Sequence, residues 1–510
     1  MQHHYLYEYR THLHLAELGI DAAALNQHLQ QLWDNRPRTP SFWRAPDDDS
    51  STTQRFLRFH GEDGTVSARN YVGQICFEDH MLHLLPKVFY PGEDMPDATP
   101  EDDPRLQAMH AHLFWWLSYA HKLRFPRSLA TFSALPTNLL EVLILLFAQY
   151  THELLSRTHY QHYQEVSEDL GTLRGHLNFG AYATYYATGR GHHLPCTFDS
   201  FQPDNRFNRI LKYVTYQLLN HTKQTHTQQL LQEIHFQLDE VADQPATLTD
   251  CDQVQLSPLF DDFRVVLDYC RLFLADSGPL AAHVEEVRVF AILLPTEVIF
   301  EEFIEGFVRT HLDNQFHVRA QARDCYLATA TPTGAATQRY FQLRHDLLLE
   351  RKSEQKTKEK PLVIDTKYKI LPVNPAGTII PGSVAQADMY QLVSYALRRG
   401  TPHTHLFYPD SLRHPAYDAK ANRLDYQVKD KLSGTDASIA VSVHRLPITA
   451  IDAFLPGAII TTGISKAICA LELTLTIRLQ TVLSSFQECY SSWGKIEGIQ
   501  LSRPEQEPLL

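Results

Sequence analysis

The chain has 510 residues, 44% hydrophobic and 21% charged, the make-up of a globular protein and not of a disordered one. It is too long for one ordinary core and fits about three domains of roughly 100–200 residues each. A net charge of −13 argues against a protein that coats nucleic acid by bulk attraction, so any grip on DNA has to come from a local patch or a partner. Met1–Arg10 has no apolar core of the kind a secretory signal carries. The most apolar long stretch, Ala458–Phe486, holds Lys466, Glu472 and Arg478, which are costly in a bilayer, so no membrane is expected. The seven cysteines form no CxxC pair, which fits incidental thiols in a reducing cytoplasm. The 28 histidines are scattered without zinc spacing, so no structural zinc is expected.

Along the chain, Leu15–Trp33 has helical spacing and ends in a Pro-rich, acidic stretch. Gln54–Phe59 is strand-like, and Tyr71–Phe77 with Met81–Leu85 predicts a hairpin around Glu78-Asp79-His80. Pro91–Pro104 predicts a linker or surface loop. Helical patterns follow at Leu113–Leu123, Leu139–Leu155, Arg206–Leu219 and Pro258–Leu274. Thr296–Leu312 is amphipathic, with Val298, Ile299, Phe303, Ile304, Phe307 and Val308 on one broad face. His317–Tyr326, Gln338–Glu350 and Pro361–Ile370 read as strands, the last two joined by the polar turn Arg351–Lys360. Ala385–Arg399 is a helix, His403–Tyr408 a last strand, and Ala467–Cys489 a helix candidate before a frayed end at Ser502–Leu510. The expectation is an α+β multidomain chain: 1–104 β-rich with an N-terminal extension, 105–290 mainly helical, 291–455 an α/β domain, and 456–510 a partly helical tail.

The chemistry sits in the third region. Asp365 and Lys367 alternate on one strand and so project from one face. The polar turn lets the preceding strand run back alongside, bringing Asp346 towards Asp365. Two carboxylates and an ammonium at one sheet end suit hydrolysis of a phosphodiester: the carboxylates hold a hard divalent cation, and the lysine orients water or offsets developing charge. The plainer alternative is a surface salt bridge, but the flanking Leu347–Leu349 and Leu362–Ile364 are apolar, and charge beside buried strands needs a reason. Gln391 and Tyr395, four apart on the following helix, can reach the same point, as can Glu301 from the preceding one. Residues 344–369 carry eight basic side chains against five acidic ones, among them Arg344, Lys352 and Lys369, the candidate DNA contacts. The phosphate-loop pattern Gly-x4-Gly-Lys-[Ser/Thr] is absent, so this chain is not expected to bind a nucleotide itself.

Arg344-His345-Asp346, Ile364-Asp365-Thr366-Lys367 and Gln391-Leu392-Val393-Ser394-Tyr395 together resemble the PD-(D/E)xK nuclease superfamily, the Gln-x3-Tyr element being typical of its RecB-like branch. His345 stands where that pattern normally has proline. Further segments resemble the McrC family: Leu84-Leu85-Pro86-Lys87, Leu173-Arg174-Gly175-His176-Leu177, Asp204-Asn205-Arg206-Phe207-Asn208-Arg209, Ile299-Phe300-Glu301-Glu302-Phe303, and Asp388–Tyr395. The resemblance spans about residue 70 to about residue 410. It implies a restriction-endonuclease-like α/β domain with Asp346, Asp365 and Glu301 at Mg²⁺ or Mn²⁺, and Lys367, Gln391 and Tyr395 assisting. It implies the nuclease subunit of a 5-methylcytosine restriction system, acting on modified double-stranded DNA with a hexameric McrB-like AAA+ GTPase. Lys87, Arg174 and Arg206 are the candidate partner contacts, with a structural role the plainer reading of each. A catalytically silent regulatory subunit and a stand-alone RecB-like repair nuclease are the alternatives.

Overall fold

The computed structural model describes residues 2–34, 56–61, 64–96, 99, 103–120, 139–160, 162–275, 292–331, 337–352, 360–429, 438–454 and 461–484. The chain divides into two compact units, Met1–Lys87 with Glu93–Ile299, and Val88–Gly92 with Phe300–Leu510. The α+β multidomain expectation holds for these elements.

The first unit opens with β1 (Gln2–Tyr7), β2 (Leu13–His14), α1 (Ala22–Asp34), β3 (Leu57–His60), β4 (Thr65–Ala68), β5 (Tyr71–Phe77) and β6 (His80–Leu85). The single helix expected over Leu15–Trp33 is in fact two pieces. A 3-10 turn at Ala16–Leu18 stops at Gly19, whose φ of 74° is left-handed, and Asp21 then accepts from the Ala23 amide to start α1. The β5–β6 hairpin is as expected, with Phe77 opposite His80. Next come α2 (Pro104–Tyr119), α3 (Leu139–Arg157), β7 (His162–Leu170), β8 (His176–Leu177), α4 (Phe179–Ala187), β9 (Leu194–Gln202), α5 (Arg206–His221), α6 (Thr225–Gln237), α7 (Leu248–Asp252), α8 (Phe263–Ala275) and β10 (Ile292–Pro295). One sheet has the order β1-β6-β5-β10, another β2-β4-β3, and Leu6, Leu25, Leu29, Trp33, Phe56, Ile75 and Leu82 fill a core with them. The mainly helical middle region also holds a three-stranded antiparallel sheet, β7-β9-β8, which its sequence does not announce. Pro195 and four charged residues in β7 and β9 dilute the strand signal there.

The second unit carries α9 (Thr296–His311, within which the division falls), β11 (Phe316–Ala330), β12 (Gln338–Arg351), β13 (Leu362–Thr366), α10 (Gln386–Arg399), β14 (His403–Pro409), β15 (Arg423–Lys429), β16 (Ser438–Leu446) and α11 (Thr461–Ser484). Most of the Arg351–Lys360 turn and the Ser502–Leu510 end lie outside the described residues. The sheet order is β11-β12-β13-β14-β16-β15, so His403–Tyr408 is not its last strand. β15 and β16 extend it, and Leu424, Tyr426 and Val428 alternate in β15 as a half-buried strand requires. β13, α10 and β14 form a parallel crossover, which puts α10 on one face of the sheet. That face packs Leu348, Val363, Leu406, Val441 and Val443 against Leu392, Tyr395 and Ala396 of α10. Gly400, with φ 62°, ends α10, and its amide bonds back to the last turn. Among the described residues no helix is long and apolar enough to cross a membrane.

Candidate active site

The antiparallel pairing of β12 with β13 covers only three steps, Leu347↔Ile364, Leu348↔Val363 and Leu349↔Leu362. One step further the register sets Asp346 opposite Asp365, and there the strands part. β13 continues along β14, with Asp365↔Leu406 and Thr366↔Phe407, and the Lys367 amide donates to the Phe407 carbonyl at 2.9 Å. Asp346 bridges the opening through its side chain: Oδ2 accepts from the Thr366 amide at 2.8 Å and from its hydroxyl at 3.1 Å. The site is thus a fork between two strands, held by one carboxylate.

Asp365 is wholly buried. Lys367 Nζ lies 2.8 Å from its Oδ2, as alternation along the strand requires. The Lys367 ammonium is the one donor at Oδ2, and Oδ1 has no hydrogen-bond donor among the described residues. Burial, and then the neighbouring Asp346 carboxylate, push Asp365 well above the usual carboxylate range, against the pull of Lys367. Lys367 is held charged beyond the ordinary lysine range: burial opposes its charge, but Asp365 and then Asp346 outweigh it. A buried carboxylate oxygen without a donor, beside a second carboxylate, is what a cation would satisfy.

Tyr395 is buried and its hydroxyl donates to the Arg344 carbonyl, while Gln391 Nε2 donates to that hydroxyl at 2.6 Å. Burial pushes the Tyr395 hydroxyl up to about 12, with Gln391 pulling the other way. His345, in the proline position, packs tilted against the Tyr395 ring with centres 4.3 Å apart, and its Nδ1 lies 3.2 Å from the Ala322 carbonyl. Gln391 and Tyr395 therefore clamp α10 to the backbone just before Asp346.

Other predicted residues have quieter surroundings. Glu301 lies 3.8 Å from Arg344, whose Nε donates to Gln321. Among the described residues no group of three His, Cys, Asp or Glu side chains converges as a metal site, so Asp346 and Asp365 are brought together without Glu301. Lys352 pairs with Asp313 at 3.1 Å, and Lys369 with both oxygens of Asp388 at 2.8 and 3.0 Å. Asp388, which sequence reasoning left unassigned, also accepts from Tyr408 at 3.1 Å. Its spacing of three from Gln391 on one helix face was the available signal.

In the first unit, the Lys87 amide donates to Glu8 at 3.1 Å, and its ammonium lies 5.4 Å from the Tyr9 ring centre. Arg174 lies over the Phe198 ring at 4.2 Å. Gly175 next to it has φ 64°, and a Cβ there would meet the Thr197 carbonyl at 2.4 Å, so only glycine fits. Arg206 bonds to Gln253. In the Asp204–Arg209 segment, Asn205 caps α5 by accepting from the Asn208 amide at 3.0 Å, and Asp204 takes Arg209 at 2.7 and 2.8 Å.

Comparison with known proteins bears on this arrangement. A comparison with curated protein sequences found no match. A chain in the refined half-complex from the tetradecameric assembly of Thermococcus gammatolerans McrB AAA+ hexamers with bound McrC is 17% identical. The match covers 92% of this chain and 100% of that one, with a TM-score of 0.56, and shows a shared fold. A chain in the cryo-EM structure of the Thermococcus gammatolerans McrBC complex is 20% identical over 61% of this chain and 88% of that one, with a TM-score of 0.44. Residues 66–409, which include the forked strands and the α10 clamp, match the family described as McrBC 5-methylcytosine restriction system component, and the chain belongs to that family.

Proposed function

We propose that this chain is the Mg²⁺-dependent DNA endonuclease subunit of a modification-dependent restriction system, working with a hexameric AAA+ GTPase. One observation carries the reading: the wholly buried Asp365 carboxylate, with Oδ1 lacking a hydrogen-bond donor and Oδ2 facing only Lys367, at a strand fork beside Asp346.

Asp346 and Asp365 are the residues that would hold the cation. Two carboxylates suit Mg²⁺, or Mn²⁺ in its place, which keeps other positions for water and phosphate oxygen. When bound, the ion supplies Lewis-acid charge at the scissile phosphate. Lys367, kept protonated by its two carboxylate neighbours, offsets charge developing on the phosphate and orients the attacking water. Tyr395 and Gln391 hold the Arg344 carbonyl and so fix the backbone that presents Asp346. Arg344, through Glu301 and Gln321, shapes the same stretch, and Glu301 supports the site by that route. Lys369 and Lys352, partly exposed beside their carboxylate partners, are proposed as contacts to the DNA backbone.

Docking to the GTPase is assigned to the first unit, with Lys87, Arg174 and Arg206 shaping the surface it offers. The related assembly of McrB AAA+ hexamers with bound McrC supports this partner. The absent phosphate loop is consistent with nucleotide hydrolysis by another chain. The test is cleavage of methylated and unmethylated plasmid with the AAA+ partner, GTP and Mg²⁺, wild type beside Asp365→Ala. Cutting by wild type alone, dependent on partner and methylation, is the expected result. Stimulated GTP hydrolysis without cutting by either protein would leave a regulatory subunit.

A further inference from the structure

β12 is 14 residues long, yet β13 pairs with only Leu347–Leu349 of it. On the other side of Asp346, Gln338–Leu343 pairs with β11 alone, and β11 is the edge of the sheet. The two strands therefore run on past the site as a two-stranded ribbon. Its root is fastened. Leu343 packs against the α10 core, and Asp324, at the bulge where the register shifts, pairs with Arg399 of α10 and with Arg319. Beyond the root nothing is buried: every described residue from Leu327 to Gln342 is exposed or half-buried. At about 3.4 Å per residue, the eight steps from Asp346 to Gln338 reach about 27 Å, more than twice the roughly 12 Å width of a major groove.

The ribbon's chemistry differs from that of the chain around it. Although the protein carries a net −13, residues 325–343 contain no acidic side chain and one basic one, Arg339, while Arg323 stands at the root beside Asp324, which is taken up by Arg319 and Arg399. Arg323 and Arg339 are exposed and make no side-chain ion pair or hydrogen bond among the described residues. Tyr340 donates to Gln338 Oε1 and Gln342 to the Arg323 carbonyl, which ties the ribbon's surface side chains together, and Gln338 and Thr329 are neutral polar groups along it. Phe341 is 72% exposed and sits at φ 58°, a conformation a bulky residue rarely adopts, and Leu327 beside it is 41% exposed. An exposed strand pair with Arg339 along it, Arg323 at its root and no acidic side chain beyond Asp324, set beside a proposed phosphodiester site, fits a polyanion. A two-stranded ribbon is one of the few elements a major groove admits.

We propose that this ribbon is a DNA-groove arm, which lies in the groove of the duplex being cut, with Arg323 and Arg339 on its phosphates and Phe341 against its interior. The proposal rests on the endonuclease reading above. It predicts sequence-independent grip at the cut point, separate from recognition of the modified base.

The test uses the full chain assembled with its AAA+ partner. Three proteins are compared: wild type, an Arg323→Ala/Arg339→Ala double variant, and Phe341→Ala. The expected result for the double variant is a KM for plasmid raised about tenfold, kcat changed less than twofold, and unchanged stimulation of GTP hydrolysis. Loss of two phosphate contacts also lowers the slope of log affinity against log salt by about 2. Phe341→Ala raises KM without moving the salt slope. The same substitutions in an Asp365→Ala background, read by binding of a labelled duplex, keep the test independent of cleavage. Wild type that binds through the arm but never cuts would sink the endonuclease reading and leave the arm standing. Unchanged KM, duplex affinity and salt slope would overturn the arm. So would unchanged duplex affinity with lost GTPase stimulation, which gives the ribbon to the protein partner.

Discussion

Two buried aspartates of the second unit, Asp365 on β13 and Asp410 just past β14, have opposite surroundings. Both are wholly buried and both are pushed upward by burial, Asp410 to about 7. Asp410 is saturated: it accepts from the amides of Ala416, Ile448 and Thr449 and from the Thr449 hydroxyl, at 2.9–3.1 Å. It ties the loop after β14 to the end of β16. Asp365 has only Lys367, at Oδ2, and no donor at Oδ1. Burial alone does not mark a functional carboxylate. The distinction lies in unused acceptor capacity, which costs about 1–3 kcal/mol when nothing fills it.

The largest effect that could break this contrast is on activity. Asp365→Ala is expected to lower plasmid cleavage by about 10³-fold or more, the loss of several kcal/mol of charge stabilisation, with GTPase stimulation retained. Comparable cleavage by the variant would remove Asp365 from the site. Asp410→Ala should act on stability instead. Four donors lose their acceptor, so urea unfolding should report a loss of about 3–5 kcal/mol while cleavage per folded molecule persists.

A smaller effect tests the buried Asp365 carboxylate itself. Its folded pKa is raised, so its favourable contribution is present below the ordinary carboxylate pKa of about 3.9 and is lost as pH rises through the folded value. In chelator, Asp365→Asn should therefore stabilise the protein by about 1–3 kcal/mol at pH 9, with the gain fading towards pH 4. Added Mg²⁺ should stabilise wild type and not the variant. A gain that grows as pH falls would contradict the burial argument. The smallest expected effect is at the α10 clamp. Tyr395→Phe removes the hydroxyl that donates to the Arg344 carbonyl, and should cost about tenfold in cleavage, with the metal requirement shifted to higher Mg²⁺.

The site was legible because its rules are local. Alternation puts Asp365 and Lys367 together, a hairpin returns Asp346, and helical spacing of four pairs Gln391 with Tyr395. The end of β13 at Thr366, short of Ile370, was not legible, because it depends on β14 drawing the chain away from β12. Nor was the engagement of Lys352, Lys369 and Arg344 by carboxylates, since a count of charges says nothing about which are already paired. β7 and β9 were missed for a related reason: charged, proline-bearing strands owe their form to pairing across more than twenty residues. β15 and β16 carry alternation and could have been read.

The excursion of Val88–Gly92 into the second unit has a practical corollary. Val88 and Phe89 are wholly buried, the Val88 carbonyl accepts from the Leu412 amide at 2.9 Å, and Phe89 stacks on Phe454 at 5.6 Å. The second unit is thus a discontinuous gene product: a fragment cut at residue 300 leaves behind a pentapeptide of its own fold. Such a fragment should be poorly soluble alone and should be rescued by a synthetic peptide spanning that segment, supplied in trans.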